Sequence, residues 1–391
     1  MSRAGSQQRT LLEILGRLRP HWRREPGLPT RIDALLGRDR RLGSRDRRFY
    51  RELVYAALRY LPWVEPLLDG SPAEAIRRIA WLAPDSPLVG PFRGEVAGDL
   101  PPCPPGADAR ARFLGEDARS LSPGWLAEEC PEALLPPLRD ALLCRAPLWL
   151  RLQGGDPQAV LDEFAARGWA VGRGPLVPGA LRLEAGLDVA RTGAYQSGKV
   201  EIQDIGSQAI LASVGMAPGG HWLDACAGSG GKSLQLASLL GPKGRVTARD
   251  VQESALVELS VRASRAGIGE RIEIGTSRDP AGGFDGVLVD APCSGSGTWR
   301  RSPHLRWVTH PPAIRSAAEV QLGLLLENAQ RVRPGGTLVY STCSLCRTEN
   351  ESVAEGFLRR AAGFTLKTAG RRVAPPEPDG DAFYVVSFKR D

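Results

Sequence analysis

Apolar residues recur at helical spacing through the first eighty positions of the chain. Leu11, Leu12, Ile14, Leu15 and Leu18 share one face of a predicted first helix. A second helix is read in "GSRDRRFYRELVYAALRYLPWVEPLL", with Ser44 placed to cap it and Phe49, Leu53, Ala57 and Tyr60 on one face. Pro62 ends that helix, and "AEAIRRIAWLA" (73–83) predicts another. Residues 1–83 therefore read as an all-α module. Over 84–106 the periodicity fails and Pro and Gly become dense, which predicts a linker over 84–120. Within 121–200, "APLWLRLQ" and "ALRLEAG" read as strands and "PQAVLDEFAARGW" as a helix, a small α/β segment.

From residue 201 to the end, strand and helix patterns alternate. The strand candidates are "HWLDA", "RVTARD", "RIEI", "FDGVLVD", "GTLVYST" and "AFYVVSF", with helical runs at 232–240, 252–266, 313–331 and 348–362. Such alternation predicts a mostly parallel sheet with helices on both faces, and ligands in such sheets sit at the carboxyl ends of the strands. The segments "LDACAGSGG", "RD", "VDAPCSGSG" and "YSTCS" should then meet in one cleft.

Composition narrows the class. At 391 residues, 42% hydrophobic and 24% charged, the chain has material for two or three globular domains. No run approaches the roughly 18 apolar residues of a membrane span, and the opening residues lack a secretory apolar stretch. Seven scattered cysteines do not make a disulfide framework, so a reducing, cytoplasmic setting is expected. The net charge is +7, and residues 1–70 alone hold fifteen Arg against eight Asp or Glu, a balance of +7. A basic module of this kind suits a phosphate backbone; Arg45, Arg47 and Arg48 are its candidate RNA contacts, and a solvated helix face is the plainer reading.

"GSGGKS" (228–233) imitates a phosphate loop, but G-x-x-x-x-G-K-[ST] would need glycine at 226, which is Cys226. A nucleoside-binding loop fits better: a strand ends at Asp224, glycines follow, a helix begins near Lys232, and Asp250 ends the next strand where ribose hydroxyls would be held. S-adenosylmethionine suits such a loop because it carries no phosphate. Cys293 and Cys343 each lie just past a strand on the same cleft. A thiolate there has a specific use. Carbon 5 of cytosine is a poor nucleophile until a thiolate adds at carbon 6; after methylation the carbon 5 proton must leave and the thiol be expelled. Cys343 and Cys346 also form a C-x-x-C, although zinc would need two further ligands, and no metal site is expected. Trp299 and Trp307 are candidates for stacking on bases or for packing, and His304 and His310 for packing.

The set "QDIGSQ" (203–208), "DACAGSGGK" (224–232), Asp250, "DAPCSGSGTWRR" (290–301) and "STCS…ENE" (341–351) resembles the RsmB/Sun family of RNA (cytosine-5)-methyltransferases. The match spans most of 201–391. The N-terminal "SRDRRFYRELVYAALRYLPWVEPLL" is similar, over a shorter stretch, to a NusB-like RNA-binding domain. The resemblance implies a Rossmann-like class I methyltransferase domain with a mostly parallel seven-stranded sheet over 201–391. It further implies methylation of small-subunit (16S) ribosomal RNA, with transfer RNA as the nearest alternative substrate and a non-catalytic assembly factor as the alternative role. A monomer that binds RNA and no membrane is expected.

By motif, the resemblance makes Cys343 the nucleophile at carbon 6 and Cys293 the group that assists proton loss and product release. Asp290 would bind the target base and lie near the donor methyl. Cys226, Ala227, Gly228, Ser229, Gly230, Gly231 and Lys232 would form the S-adenosylmethionine loop, with Asp250 on the ribose, and Arg300 and Arg301 would hold RNA or shape the pocket. The chain departs from the family pattern in four places. Gly228 and Ser229 stand where Ala and Pro are usual in "CAAPGGK", and His304 stands where Asp is usual. "RLQ" (151–153) replaces "RVN", and the acidic residue beside the adenine has only Asp279 as a candidate.

Overall fold

The computed structural model describes residues 2–174, 176–275, 283–377 and 379–391. The chain forms two compact units. One is Met1–Arg145 with Trp299–His310; the other is Ala146–Thr298 with Pro311–Asp391.

The first unit is helical. Arg3–Leu18, Leu28–Arg38, Ser44–Arg59 and Pro72–Leu82 are its longer helices. Their apolar stripes close on Leu11, Leu15, Leu18, Leu53, Ala57, Trp63 and Trp81. The expected linker over 84–120 is corrected here. Helices Gly90–Ala97 and Ala107–Leu114 lie within it, and Val89, Phe92, Ala97, Ala107 and Leu121 join the same core. The irregular backbone between these helices is satisfied by side chains, which is why no periodicity marks it. Arg93 donates to the carbonyls of Ala80, Ala83 and Pro84 at 2.5–3.0 Å, and the Trp81 indole donates to Pro101 at 2.7 Å.

The second unit holds two sheets. In the smaller, β1 (Leu148–Leu152), β2 (Gly172–Arg173), β3 (Ala180–Leu183) and β4 (Val200–Ile202) are ordered β2-β3-β1-β4, all antiparallel. Helix Pro157–Ala166 backs it, burying Val160 and Phe164 against Leu150, Leu181 and Val200. Strands β2 and β4 are too short to leave a sequence signature.

The larger sheet has β5 (His221–Asp224), β6 (Arg245–Ala248), β7 (Ile272–Ile274), β8 (Phe284–Asp290), β9 (Val332–Thr342), β10 (Phe364–Val373) and β11 (Phe383–Arg390). Their order is β10-β11-β9-β8-β5-β6-β7. The run β9 to β7 is parallel, and β11 enters antiparallel between β9 and β10. This is the expected α/β fold with a mostly parallel seven-stranded sheet. The strand order reverses between β5 and β8, where a ligand crevice forms. The neighbours β5, β8 and β9 thus deliver their C-terminal loops side by side. β10 escaped the sequence pattern because nearly all of it faces solvent. Among the described residues, no helix is long and apolar enough to cross a membrane.

Candidate active site

The loop after β5 is shaped by two glycines. Gly228 has φ +51° and opens onto free space; Gly230 has φ +87°, and a Cβ there would lie 2.5 Å from Leu259 Cγ. Glycine is needed at the second position for packing as well as conformation. The loop leads into helix Gly231–Leu240. The Gly228 N–H donates to Asp250 Oδ2 at 2.8 Å, and the Gln252 N–H donates to Oδ1 at 2.8 Å. Asp250 thus stands at the loop's open side, with lone pairs to spare for hydroxyl donors. Ala227 is buried, Cys226 half-buried, and Ser229 exposed with its carbonyl and hydroxyl accepting from Arg262. At the end of β5, Asp224 is fully buried. Ser233 Oγ donates to its Oδ2 at 2.7 Å, while Oδ1 has no aligned donor among the described residues. Burial pushes this carboxyl up to about 7.

Lys232 turns toward the β8 loop, its Nζ 2.7 Å from Asp290 Oδ2. Ser341, on β9, donates to Asp290 Oδ1 at 2.7 Å. Burial alone would lower the Lys232 ammonium, but Asp290 reverses this and raises it, and Cys343 lies within its electrostatic reach. Three residues past Asp290, Cys293 Sγ lies 3.4 Å from Cys343 Sγ. The hydrogen bond to Cys343 and then burial push the Cys293 thiol well up, so it keeps its proton and shares it with Cys343.

Glu349 ties the two cysteine loops together. Its carboxyl accepts from Ser294 N–H at 2.7 Å, and from the Ser294 and Ser344 hydroxyls at 2.5 Å each. These serines directly follow Cys293 and Cys343. Gln321 donates to Glu349 at 3.1 Å and to the Pro292 carbonyl at 2.9 Å, and Tyr340 donates to Gln321 at 3.0 Å. Glu349, Ser344 and Gln321 are all fully buried. Cys346 is also buried, with Ser296 Oγ 3.5 Å from its sulfur. Among the described residues, no group of three or more His, Cys, Asp or Glu could hold a metal.

The arginines separate. Arg45 and Arg48 are exposed at the start of helix Ser44–Arg59, and Arg47 donates to the Gly37 carbonyl at 3.3 Å. Arg301 is exposed, but Arg300 is buried within the helical unit, donating to the Arg145 carbonyl at 3.2 Å. That enclosure corrects its reading as an RNA contact. Trp299 is fully buried under the Arg306 guanidinium, 4.7 Å from the ring centre, and so is a packing residue. His304 is buried and paired with the Pro26 carbonyl at 2.9 Å. Asp279 lies outside the described residues.

Residues 213–389 match the family described as 16S rRNA methyltransferase RsmB/F. Over 301 residues the chain is 32% identical to ribosomal RNA small subunit methyltransferase B of Enterobacter sp. (strain 638), covering 72% of this chain and 69% of that one. The chain belongs to the RsmB/F family. Two solved structures share its fold. PH0851 aligns over 100% of both chains at 21% identity, with a TM-score of 0.74. NSun6 from Pyrococcus horikoshii, solved with SFG, covers 68% of this chain and 98% of its own at 16% identity, with a TM-score of 0.60.

In this RsmB/F-family chain, sequence reasoning missed the supports of the site. Glu349 sits inside the quoted "ENE", yet nothing in its spacing announced the carboxyl as a clamp. The "QDIGSQ" stretch also lacked a role. Gln203 accepts from buried Arg151 at 2.6 Å and donates to Gln235 at 3.0 Å, bracing the helix that follows the glycine loop.

Proposed function

We propose that the chain is an S-adenosylmethionine-dependent methyltransferase that methylates carbon 5 of a cytosine in small-subunit ribosomal RNA through a covalent adduct on Cys343. One observation carries this reading: two thiols 3.4 Å apart at the strand ends beside the glycine loop. A single nucleophile would need no such neighbour. The open face at Gly228, the Asp250 carboxylate beside it and the buried Asp224 fit a nucleoside with ribose hydroxyls. The bound donor supplies an electrophilic methyl group. Membership of the 16S rRNA methyltransferase family supports the substrate.

The residues divide the work. Lys232 favours the charged form of the Cys343 sulfur by its field. Cys343 forms its bond to carbon 6, and its proton passes to the ring nitrogen, which Asp290 steadies while held by Lys232 and Ser341. Carbon 5 then has the electron density to take the methyl group. Once Cys343 is a thioether, the main cause holding the Cys293 proton is gone. Cys293 gives its proton to water, its thiolate takes the carbon 5 proton, and the carbon 6–sulfur bond breaks to return Cys343 as a thiolate. The ring nitrogen returns its added proton to Cys343, and methylcytosine leaves with one proton released overall. A flipped or unpaired base is required, because carbon 6 is attacked from the ring face. Arg45, Arg47, Arg48 and Arg301 are the candidate phosphate contacts, and the reaction belongs in the cytoplasm with the ribosomal RNA.

The test is substitution of each thiol, followed on denaturing gels and by base-resolved mapping of methylcytosine. Cys343→Ala should lose both methylation and adduct; Cys293→Ala should accumulate the adduct. Methylation by Cys343→Ala at the wild-type rate would sink the assignment.

A further inference from the structure

Ser229 is bracketed by two glycines of positive φ, Gly228 at +51° and Gly230 at +87°. Its own N–H makes no hydrogen bond among the described residues. A Gly-Ser-Gly-Gly loop pays a large entropic cost to hold one shape. The Gly230 N–H closes a turn on the Ala227 carbonyl at 2.9 Å and Asp250 holds the Gly228 N–H, but neither bond reaches Ser229 at the loop's tip, which is held from outside. Arg262, on helix Glu253–Arg265, donates from Nη1 to the Ser229 carbonyl at 2.7 Å and to its hydroxyl at 3.0 Å.

Arg262 is itself fixed from the other side. Its Nε and Nη2 donate to Glu201 Oε2 at 3.2 and 2.9 Å. The other oxygen of Glu201 accepts from Arg265 at 2.5 Å, and Arg265 lies 4.0 Å over the Tyr195 ring. Glu201 is only 1% exposed, on strand β4 of the small sheet. A buried carboxylate between two guanidiniums is costly unless both stay paired. Arg262 is therefore held rigid, and its remaining donors are aimed at one residue of the loop.

We infer that Arg262, anchored by Glu201, is a positioning residue for the donor-binding loop, supplying through Ser229 the rigidity that the loop's own residues lack. The inference rests on the reading of this loop as the S-adenosylmethionine site. It assigns Arg262 no contact with the donor. Its effect is on how much of the time the loop is already in its binding shape, so that losing Arg262 reduces affinity by the lost fraction.

Calorimetric titration of the whole chain with S-adenosylmethionine tests this, alongside kcat and the KM for the donor, measured with saturating RNA. Arg262→Ala should weaken binding about tenfold, equivalent to roughly 1.4 kcal/mol. KM should rise by a similar factor, with kcat changed less than about twofold. Ser229→Ala, which removes the hydroxyl that Arg262 holds, should weaken binding about twofold to threefold in the wild type and add nothing further in the Arg262→Ala background. A residue that merely stabilised the unit would show no such non-additivity with the loop in donor affinity. Arg262→Gln gives the same reading should the alanine variant fail to fold. Wild-type affinity in Arg262→Ala, or a loss in kcat alone, overturns the inference while leaving the methyltransferase reading intact. Failure of the wild type itself to bind the donor overturns both.

Discussion

Replacing Glu349 should uncouple the two cysteine loops without touching the donor loop. The carboxyl accepts four hydrogen bonds, from Ser294 twice, Ser344 and Gln321. Each contributes about 1.5–3 kcal/mol if the acceptor is charged, and burial of the charge takes back several of these. In Glu349→Ala the hydroxyls can turn elsewhere and the Gln321 amide keeps the Pro292 carbonyl, but the Ser294 N–H and the second N–H of Gln321 lose their acceptor. A net loss of about 3–5 kcal/mol follows. Glu349→Gln keeps the volume and one acceptor oxygen, and should lose about 2 kcal/mol. At about 2–4 °C per kcal/mol for a unit of this size, the glutamine variant should melt roughly 4–8 °C lower. The catalytic cost should exceed the stability cost. The clamp fixes the backbone beside both sulfurs, and a shift of about 1 Å in a reacting group costs on the order of a hundredfold in rate. Single-turnover methylation at saturating RNA and donor, run below the melting range, measures this directly. We expect Glu349→Gln to slow both adduct formation and adduct release by about 10–100-fold, with donor affinity within about twofold of wild type. A lowered melting point with unchanged single-turnover rate would refute the clamp and leave Glu349 a stabilising residue only.

The loop glycines should differ in tolerance. Gly230→Ala drives a Cβ into Leu259 and should cost about 2–3 kcal/mol and most donor binding, whereas Gly228→Ala faces open space and should cost about 1 kcal/mol; melting and titration of both variants compare them. Asp224 gives a pH signature. Its folded value of about 7 lies above the ordinary 3.8, so folding favours its protonated form; the penalty is absent below about pH 4 and grows to roughly 4 kcal/mol above pH 7. Asp224→Asn should therefore gain stability relative to wild type as pH rises through that window, and a difference in melting temperature that stays flat would contradict it. Arg301→Ala should reduce the slope of log affinity for RNA against log salt by about 1, while Arg300→Ala should lower the melting temperature and leave that slope alone.

What the sequence made legible was whatever depends on local order. Strand ends at Asp224, Asp290 and Thr342 follow from alternation, and parallel topology then brings Cys293 and Cys343 to one cleft. The supports were not legible because they are made between distant positions. Glu349 meets Ser294 across 55 residues, and Arg262 meets Glu201 across 61. Between 84 and 120 the helices leave no periodic signature for a related reason: their turns are satisfied by side chains such as Arg93, which no periodicity records. Arg300 reads from the sequence as an RNA contact because charge suggests solvent. Here its guanidinium caps a carbonyl inside the helical unit, one residue from the exposed Arg301.

The two clamps explain how a loosened loop is compatible with an intact thiol pair. Arg262 acts on the loop after β5 and Glu349 on the loops after β8 and β9, and they share no hydrogen-bond partner. The groups that meet between them are Lys232 and Asp290, 2.7 Å apart. Energetic coupling between the clamps should then pass through that pair. Effects of distant sites with no shared partner add to within about 0.5 kcal/mol, so Arg262→Ala and Glu349→Gln should combine additively in stability. In kcat/KM they should combine additively too, unless loop order sets where Lys232 holds Asp290. In that case the double variant loses less than the sum, because the first substitution has already spoiled the geometry that the second would disturb. A double-mutant cycle in kcat/KM decides it. Strict additivity means that donor binding and thiol chemistry are supported independently; a coupling above about 1 kcal/mol means that Lys232 carries order from one loop to the other.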